Sequence, residues 1–211
     1  MFNLIITGVG GQGSILASHI FADAAIRDSV ANGDNDIKVR LGETFGASMR
    51  GGSVASHIKI GLDVYSPLVP ENKADIILGL EPLETLRIGL TYIAPSGIII
   101  MNTRKYESVD VKTGQAKYPS ILDIIDSFKK LKANIITLDA TGIAIEAGTA
   151  KAMNVVMLGA LAACKKNPVP YKILKKAIQD RVPPKTVEIN FNAFEAGFSK
   201  VADEMFKEVI L

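Results

Sequence analysis

Short runs of aliphatic and β-branched residues alternate along this chain with longer stretches whose apolar positions recur every three or four residues. The short runs predict strands at about 3–7 (NLIIT), 36–40 (DIKVR), 54–60 (VASHIKI), 75–80 (DIILGL), 97–101 (GIIIM) and 134–138 (NIITL). The longer stretches predict helices between them. One runs from Gly13 or Ser14 to about Asp28; PLETLRIGL and PSILDIIDSFKKLK come next, with Pro82 and Pro119 suited to a first turn, where a missing N–H costs nothing. Strand and helix in alternation give an α/β fold: a doubly wound, mostly parallel sheet flanked by helices, Rossmann-like in outline.

From Thr141 the strands stop. TGIAIEAGTAKAMNVVMLGALAAC and PYKILKKAIQDRV are helical in pattern, so the 211 residues divide into an α/β sheet core over 1–140 and a helical extension over 141–211 of one domain. Val187, Phe191, Phe194, Phe198, Val201 and Met205 succeed each other at alternating steps of four and three, on one helix face. That stripe closes the core or forms a seam against another subunit.

The first strand leads into GVGGQG, where Gly8, Gly10 and Gly13 match G-x-G-x-x-G. In a strand–turn–helix unit Gly8 permits the tight turn, Gly10 a close approach to phosphate and Gly13 close packing of helix on strand. The unpaired N–H groups of the helix start then favour an anion, which makes Gly10, Gly11, Gln12 and Gly13 candidate cofactor-binding residues. The same glycines serve a purely structural turn. A nicotinamide site also needs an acid at the end of the second strand; here that strand is expected to end in Arg40, with Glu43 beyond it. Arginine suits the 2′-phosphate of NADP, so a self-sufficient NADP-dependent dehydrogenase stands as an alternative, with Glu81, Glu84 and Arg87 as its active-site groups. More simply, these three are a helix-start carboxylate and an i, i+3 pair.

Residues 41–53, LGETFGASMRGGS, lack periodicity and read as a loop between two strands. Arg50 precedes Gly51 and Gly52, with Ser48 and Ser53 as added hydroxyls: a guanidinium fork beside permissive backbone suits phosphate, carboxylate or a partner's backbone. A solvated surface loop is the plainer reading. In a doubly wound sheet this loop and the glycine loop leave the same edge and converge.

Composition narrows the classes. A net charge of +2, from 24 basic and 22 acidic residues, gives no field that argues for nucleic acid or an anionic membrane. No apolar run approaches the roughly 20 residues of a span. One cysteine, Cys164, allows neither a disulfide framework nor a cluster site, and a reducing cytoplasm is expected. His19 and His57 have no metal-ligand spacing, and each is expected to be satisfied or solvent-facing. NGDND at 32–36 lacks both the later ligands of a calcium loop and the pattern of a thiamine diphosphate and magnesium site, and no G-x-S-x-G elbow or phosphate-binding G-x-x-x-x-G-K-S/T occurs.

Taken together, GVGGQGSILAS, ETFGASMRGGSVASHIKIG, SPLVP, ADIILGLEPLETLR and KAMNVVMLGAL resemble the gamma component of the 2-oxoacid:ferredoxin oxidoreductases, nearest to the small beta subunit of indolepyruvate-type enzymes. The likeness runs from Phe2 to about Gly159, with a weaker match in FNAFEAGF; Met49 departs from the glutamine expected before Arg-Gly-Gly. The resemblance implies an assembled enzyme that decarboxylates a 2-oxoacid, transfers the acyl group to coenzyme A and reduces ferredoxin. It places thiamine diphosphate, magnesium and iron–sulfur clusters in a large partner subunit and no tightly bound cofactor here. Coenzyme A would meet this chain at a shared site formed by the glycine loop and Arg50, and the isolated chain would be inactive. No residue is assigned to bond breaking.

Overall fold

The computed structural model describes residues 1–34, 36–46, 51–107, 109–114 and 117–208; for residues 109, 110 and 204–208 it describes the backbone alone. Six strands, β1 (Phe2–Val9), β2 (Lys38–Phe45), β3 (Ser53–Gly61), β4 (Ala74–Gly79), β5 (Ile93–Asn102) and β6 (Asn134–Leu138), form one sheet in the order β2-β3-β1-β4-β5-β6. The helices are α1 (Ser14–Ala31), α2 (Pro82–Tyr92), α3 (Val109–Lys112), α4 (Ile121–Lys130), α5 (Ala140–Glu146), α6 (Met153–Ala162), α7 (Tyr171–Arg181) and α8 (Val187–Glu208). Strands β1, β4, β5 and β6 run parallel, and β3 is antiparallel to both β1 and β2. The sheet is thus mixed, with helices on both faces and all six expected strands present.

Strand β1 is apolar on both faces and buried from Asn3 to Val9, as a central strand must be when helices cover both sides. One face packs Leu4, Ile6, Ile76 and Leu78 under α1 and the C-terminal helices; the other packs Ile5, Ile77, Ile99 and Met101 under Ile124 and Phe128 of α4. Helix α6 is apolar nearly all round and buried from Met153 to Leu161. It meets α8 at close range: a Cβ on Gly159 would lie 2.0 Å from the Phe194 carbonyl oxygen, and one on Gly197 would lie 2.0 Å from that of Val156.

In the α8 stripe, Phe194 and Val201 are fully buried, while Val187, Phe191 and Phe198 are half-buried. It therefore closes the core against α6; the Met205 side chain lies outside the described residues. Cys164 is buried in the same core, as a small apolar residue, and burial pushes its thiol pKa up.

Several expected boundaries move. Strand β2 continues to Phe45 because Leu41 to Phe45 pair with Val54 to Ile58 of β3, so the aperiodic segment shrinks from 41–53 to the short connection 46–52. Periodicity missed this because β2 is an edge strand with no fully buried residue, half-buried or exposed along its whole length. Pro119 precedes rather than opens its helix: Ser120 is the N-cap, its hydroxyl accepting from the Asp123 amide while Asp123 accepts from Ser120. The stretch 141–164 is not one helix, since Gly148 at φ 126° separates α5 from a 3-10 turn at Ala150–Ala152 and from α6. Among the described residues no helix is long and apolar enough to cross a membrane.

Candidate functional site

The carboxyl ends of β1, β4, β5 and β6 share one edge of the sheet. The glycine loop leaves β1 there, and the β2–β3 connection reaches the same edge, since β2 runs parallel to β1 through the intervening antiparallel β3. The two loops are tied together: the Gly10 amide donates to the Gly52 carbonyl at 2.8 Å, and the Gly51 amide donates to the Gly10 carbonyl at 3.1 Å. The convergence expected from a doubly wound sheet is present. Arg50, Ser48 and Met49 lie outside the described residues.

Glycine serves this loop in two separate ways. Gly8 continues β1, and a Cβ there would lie 2.6 Å from the Gln12 Oε1. Gly13 caps α1 at φ 82°, in left-handed space, where a Cβ would also lie 2.6 Å from the Asn154 amide nitrogen. Gln12 turns inward, its Oε1 accepting from the Val9 amide at 2.8 Å and its Nε2 donating to the Leu80 carbonyl at 3.4 Å. Asn154 donates to the Gly13 carbonyl at 3.1 Å. The loop is braced from within, and no side chain caps the start of α1. Among the described residues, the Gly11, Gly13 and Ser14 amides carry no protein acceptor, so they are the groups free to meet an anion.

Two clefts flank this helix start. The first, of about 540 Å³, is lined by Gly11, Gly13, Leu16, Phe45, Val54 and Arg181, with His19 at its rim paired to Glu43 at 3.3 Å. The second, of about 620 Å³, is lined by Gly11, Gln12, Gly13, Thr141 and Asn154, and by Arg104, Lys105 and Lys151. All three cations are exposed and, among the described residues, no acidic residue lines this cleft, so helix dipole and side chains favour the same sign of ligand.

Sequence reasoning did not single out Arg104, Lys105 or Lys151. One signal was available: N-T-R-K comes directly after the fifth strand and must therefore emerge at the carboxyl edge.

Glu81 and Glu84 flank the same edge. Glu81 is buried; its Oε2 caps α2 by accepting from the Glu84 amide at 2.9 Å, while its Oε1 accepts from the Tyr118 hydroxyl and from the Tyr106 amide at 3.3 Å. Burial raises its pKa against the pull of those donors. Glu84 pairs with Arg87 at 2.9 Å, the expected i, i+3 contact. His57 is buried with its Nδ1 accepting from the Val69 amide at 3.3 Å, and burial lowers its pKa.

Among the described residues the nicotinamide arrangement is absent. In a dinucleotide fold the strand after the first helix lies beside the first and offers its end to the ribose; here antiparallel β3 separates β2 from β1. Arg40 is exposed mid-strand, and Glu43 faces His19.

A family model described as pyruvate ferredoxin/flavodoxin oxidoreductase matches residues 3–200. The chain belongs to this family. Among family relatives, indolepyruvate oxidoreductase subunit IorB of Thermococcus kodakarensis is 40% identical over 209 residues, covering 97% of both chains. The gamma subunit of a keto/oxoacid ferredoxin oxidoreductase from Geobacter sulfurreducens has the same fold, with a TM-score of 0.68 at 23% identity over 96% of this chain and 99% of that one. So does part of the 2-oxoglutarate:ferredoxin oxidoreductase of Magnetococcus marinus, solved with 2-oxoglutarate, coenzyme A and succinyl-CoA bound. Its TM-score is 0.70 at 16% identity, covering 96% of this chain and 31% of that one.

Proposed function

We propose that this chain is the non-thiamine-binding subunit of a 2-oxoacid:ferredoxin oxidoreductase of the indolepyruvate type, and that its basic cleft takes the phosphates of coenzyme A. The observation that carries the ligand is the uncapped start of α1 opening into a cleft flanked by Arg104, Lys105 and Lys151. Full-length similarity to a subunit named for indolepyruvate supports an aryl 2-oxoacid as the substrate class.

The chain's own residues hold and orient an anion and bring it to a shared surface. A cluster would need several thiolates and the sequence has one cysteine; among the described residues no group of three or more His, Cys, Asp or Glu is placed to hold a metal ion. On this reading thiamine diphosphate, magnesium and iron–sulfur clusters belong to a larger partner subunit, which also passes electrons to ferredoxin. The connection between β2 and β3, with Gly51 and Gly52 tied to the glycine loop, is the surface that meets this partner, and Arg50, which lies outside the described residues, is proposed to join the phosphate contacts.

The test is viologen or ferredoxin reduction with indolepyruvate, a branched-chain 2-oxoacid and pyruvate, each with coenzyme A, using either subunit alone and then both. Turnover should require both and favour the aryl substrate. Turnover by this chain alone, or undiminished turnover by the partner without it, refutes the subunit reading. Charge reversal at Arg104 or Lys151 should raise the KM for coenzyme A about tenfold or more, the scale of one charge-assisted contact. An unchanged KM in both variants would move coenzyme A elsewhere.

A further inference from the structure

The cations of the basic cleft stand on two supports of different kind. Lys151 sits in the 3-10 turn that leads into α6. Arg104 and Lys105 stand on irregular chain just beyond β5, where helix or ladder hydrogen bonds no longer fix the backbone. The groups that hold this segment come from the ends of β4 and β5. The Leu80 carbonyl accepts from Asn102 Nδ2 at 3.1 Å and from Gln12 Nε2 at 3.4 Å, joining the base of the segment to the glycine loop. Asn102 Oδ1 accepts from the Ala140 amide at 3.1 Å and the Arg104 amide at 3.4 Å. Glu81, the next residue after Leu80, accepts from the Tyr106 amide and from the Tyr118 hydroxyl, and the Lys105 ammonium lies 5.0 Å from the centre of the Tyr118 ring.

We infer that Glu81 and Tyr118 are positioning residues, a buried anchor that fixes Lys105 and Tyr106 over the cleft and so sets its affinity for the phosphates of coenzyme A. The role in affinity rests on the coenzyme A reading of the cleft; the anchoring does not. Glu81 has helix capping as a simpler use, but capping needs only the oxygen that meets the Glu84 amide. The other oxygen accepts from the Tyr106 amide of the segment and from the Tyr118 hydroxyl. A carboxylate kept 1% exposed has lost its hydration, and the hydrogen bonds it accepts there are what replaces it. Tyr118 serves two contacts, its hydroxyl on Glu81 and its ring face under Lys105, so it ties one charge of the cleft wall to the sheet.

The experiment uses the assembled two-subunit enzyme. Tyr118→Phe removes the hydroxyl donor and keeps the ring, leaving the Glu81 cap of α2 in place; Glu81→Gln keeps a capping oxygen and breaks the match to two donors. Amide hydrogen exchange over residues 104–107 should accelerate in both variants, while exchange in β1 and β4 is unchanged. The KM for coenzyme A should rise about threefold to tenfold in Tyr118→Phe, with kcat at saturating coenzyme A within about twofold, as expected for one hydrogen bond acting through position.

Unchanged exchange over 104–107 in both variants overturns the anchor. Faster exchange with an unchanged KM, while Lys151→Ala raises the KM, overturns its role in affinity. If neither Lys151→Ala nor Arg104→Ala changes the KM, the coenzyme A reading fails, and the exchange result still decides the anchor. A drop in melting temperature with exchange accelerated throughout the sheet would mark a general structural role and also overturn it.

Discussion

Replacing Gln12 with Ala separates a brace of the glycine loop from a ligand contact. Gln12 borders the basic cleft, yet its amide is turned to the protein, with the 2.8 Å bond from the Val9 amide as its main interaction. Val9 is fully buried, so its N–H loses its acceptor when the side chain goes. A buried donor left bare costs about 1–3 kcal/mol, and the 3.4 Å bond to Leu80 adds little at that length. The vacated space opens toward the cleft and water can enter, which moves the expected loss to about 1–2 kcal/mol. For a chain of this length that corresponds to a fall of roughly 2–8 °C in melting temperature, measured by calorimetry or circular dichroism. Binding of coenzyme A should weaken less than in Lys151→Glu. An unchanged melting temperature together with a KM loss as large as that of Lys151→Glu would refute the reasoning and make Gln12 a direct ligand contact.

Gly159→Ala should destabilise the protein by about 1–3 kcal/mol or more in denaturant unfolding, because its Cβ meets the backbone of α8 rather than a side chain that can move; no loss would show that α6 and α8 can separate freely. Burial raises the Glu81 pKa above 4.5, so the folded state favours the protonated form. The contribution of this group is full below 4.5 and is lost as pH rises through its raised value; stability relative to Glu81→Gln should therefore fall over that window, and a rise would reverse the sign. Cys164, buried and with a raised pKa, should resist a thiol reagent in the native protein and react as one thiol after denaturation; fast native labelling would remove it from the core.

Much was legible in order along the chain. The alternation of apolar runs and amphipathic stretches located all six strands and the covering helices, because burial on two faces or on one leaves period and composition in the sequence itself. The three-and-four stripe of α8 specified a buried face in the same way, as Phe194 and Val201 bear out. Glycine spacing after β1 identified the turn into α1, since left-handed backbone at Gly13 excludes most other residues.

Features that the chain did not carry locally, the tertiary structure decided. The insertion of antiparallel β3 between β1 and β2 is a pairing choice with no periodic signature, and it removes the dinucleotide arrangement that the glycine motif alone leaves open. The same pairing lengthened β2, whose exposed edge position gave it little apolar pattern. The roles of Gln12 and Glu81 were hidden for a related reason: a polar side chain reads alike whether it faces a ligand or braces a buried amide. Only the fold brings Val9 to one and Tyr106 and Tyr118 to the other. Arg104, Lys105 and Lys151 are scattered over 48 positions of a chain whose charges nearly balance, so no run of charge betrayed them. They meet because β5 delivers Arg104 and Lys105 to the carboxyl edge of the sheet, and the 3-10 turn between α5 and α6 brings Lys151 to the same cleft.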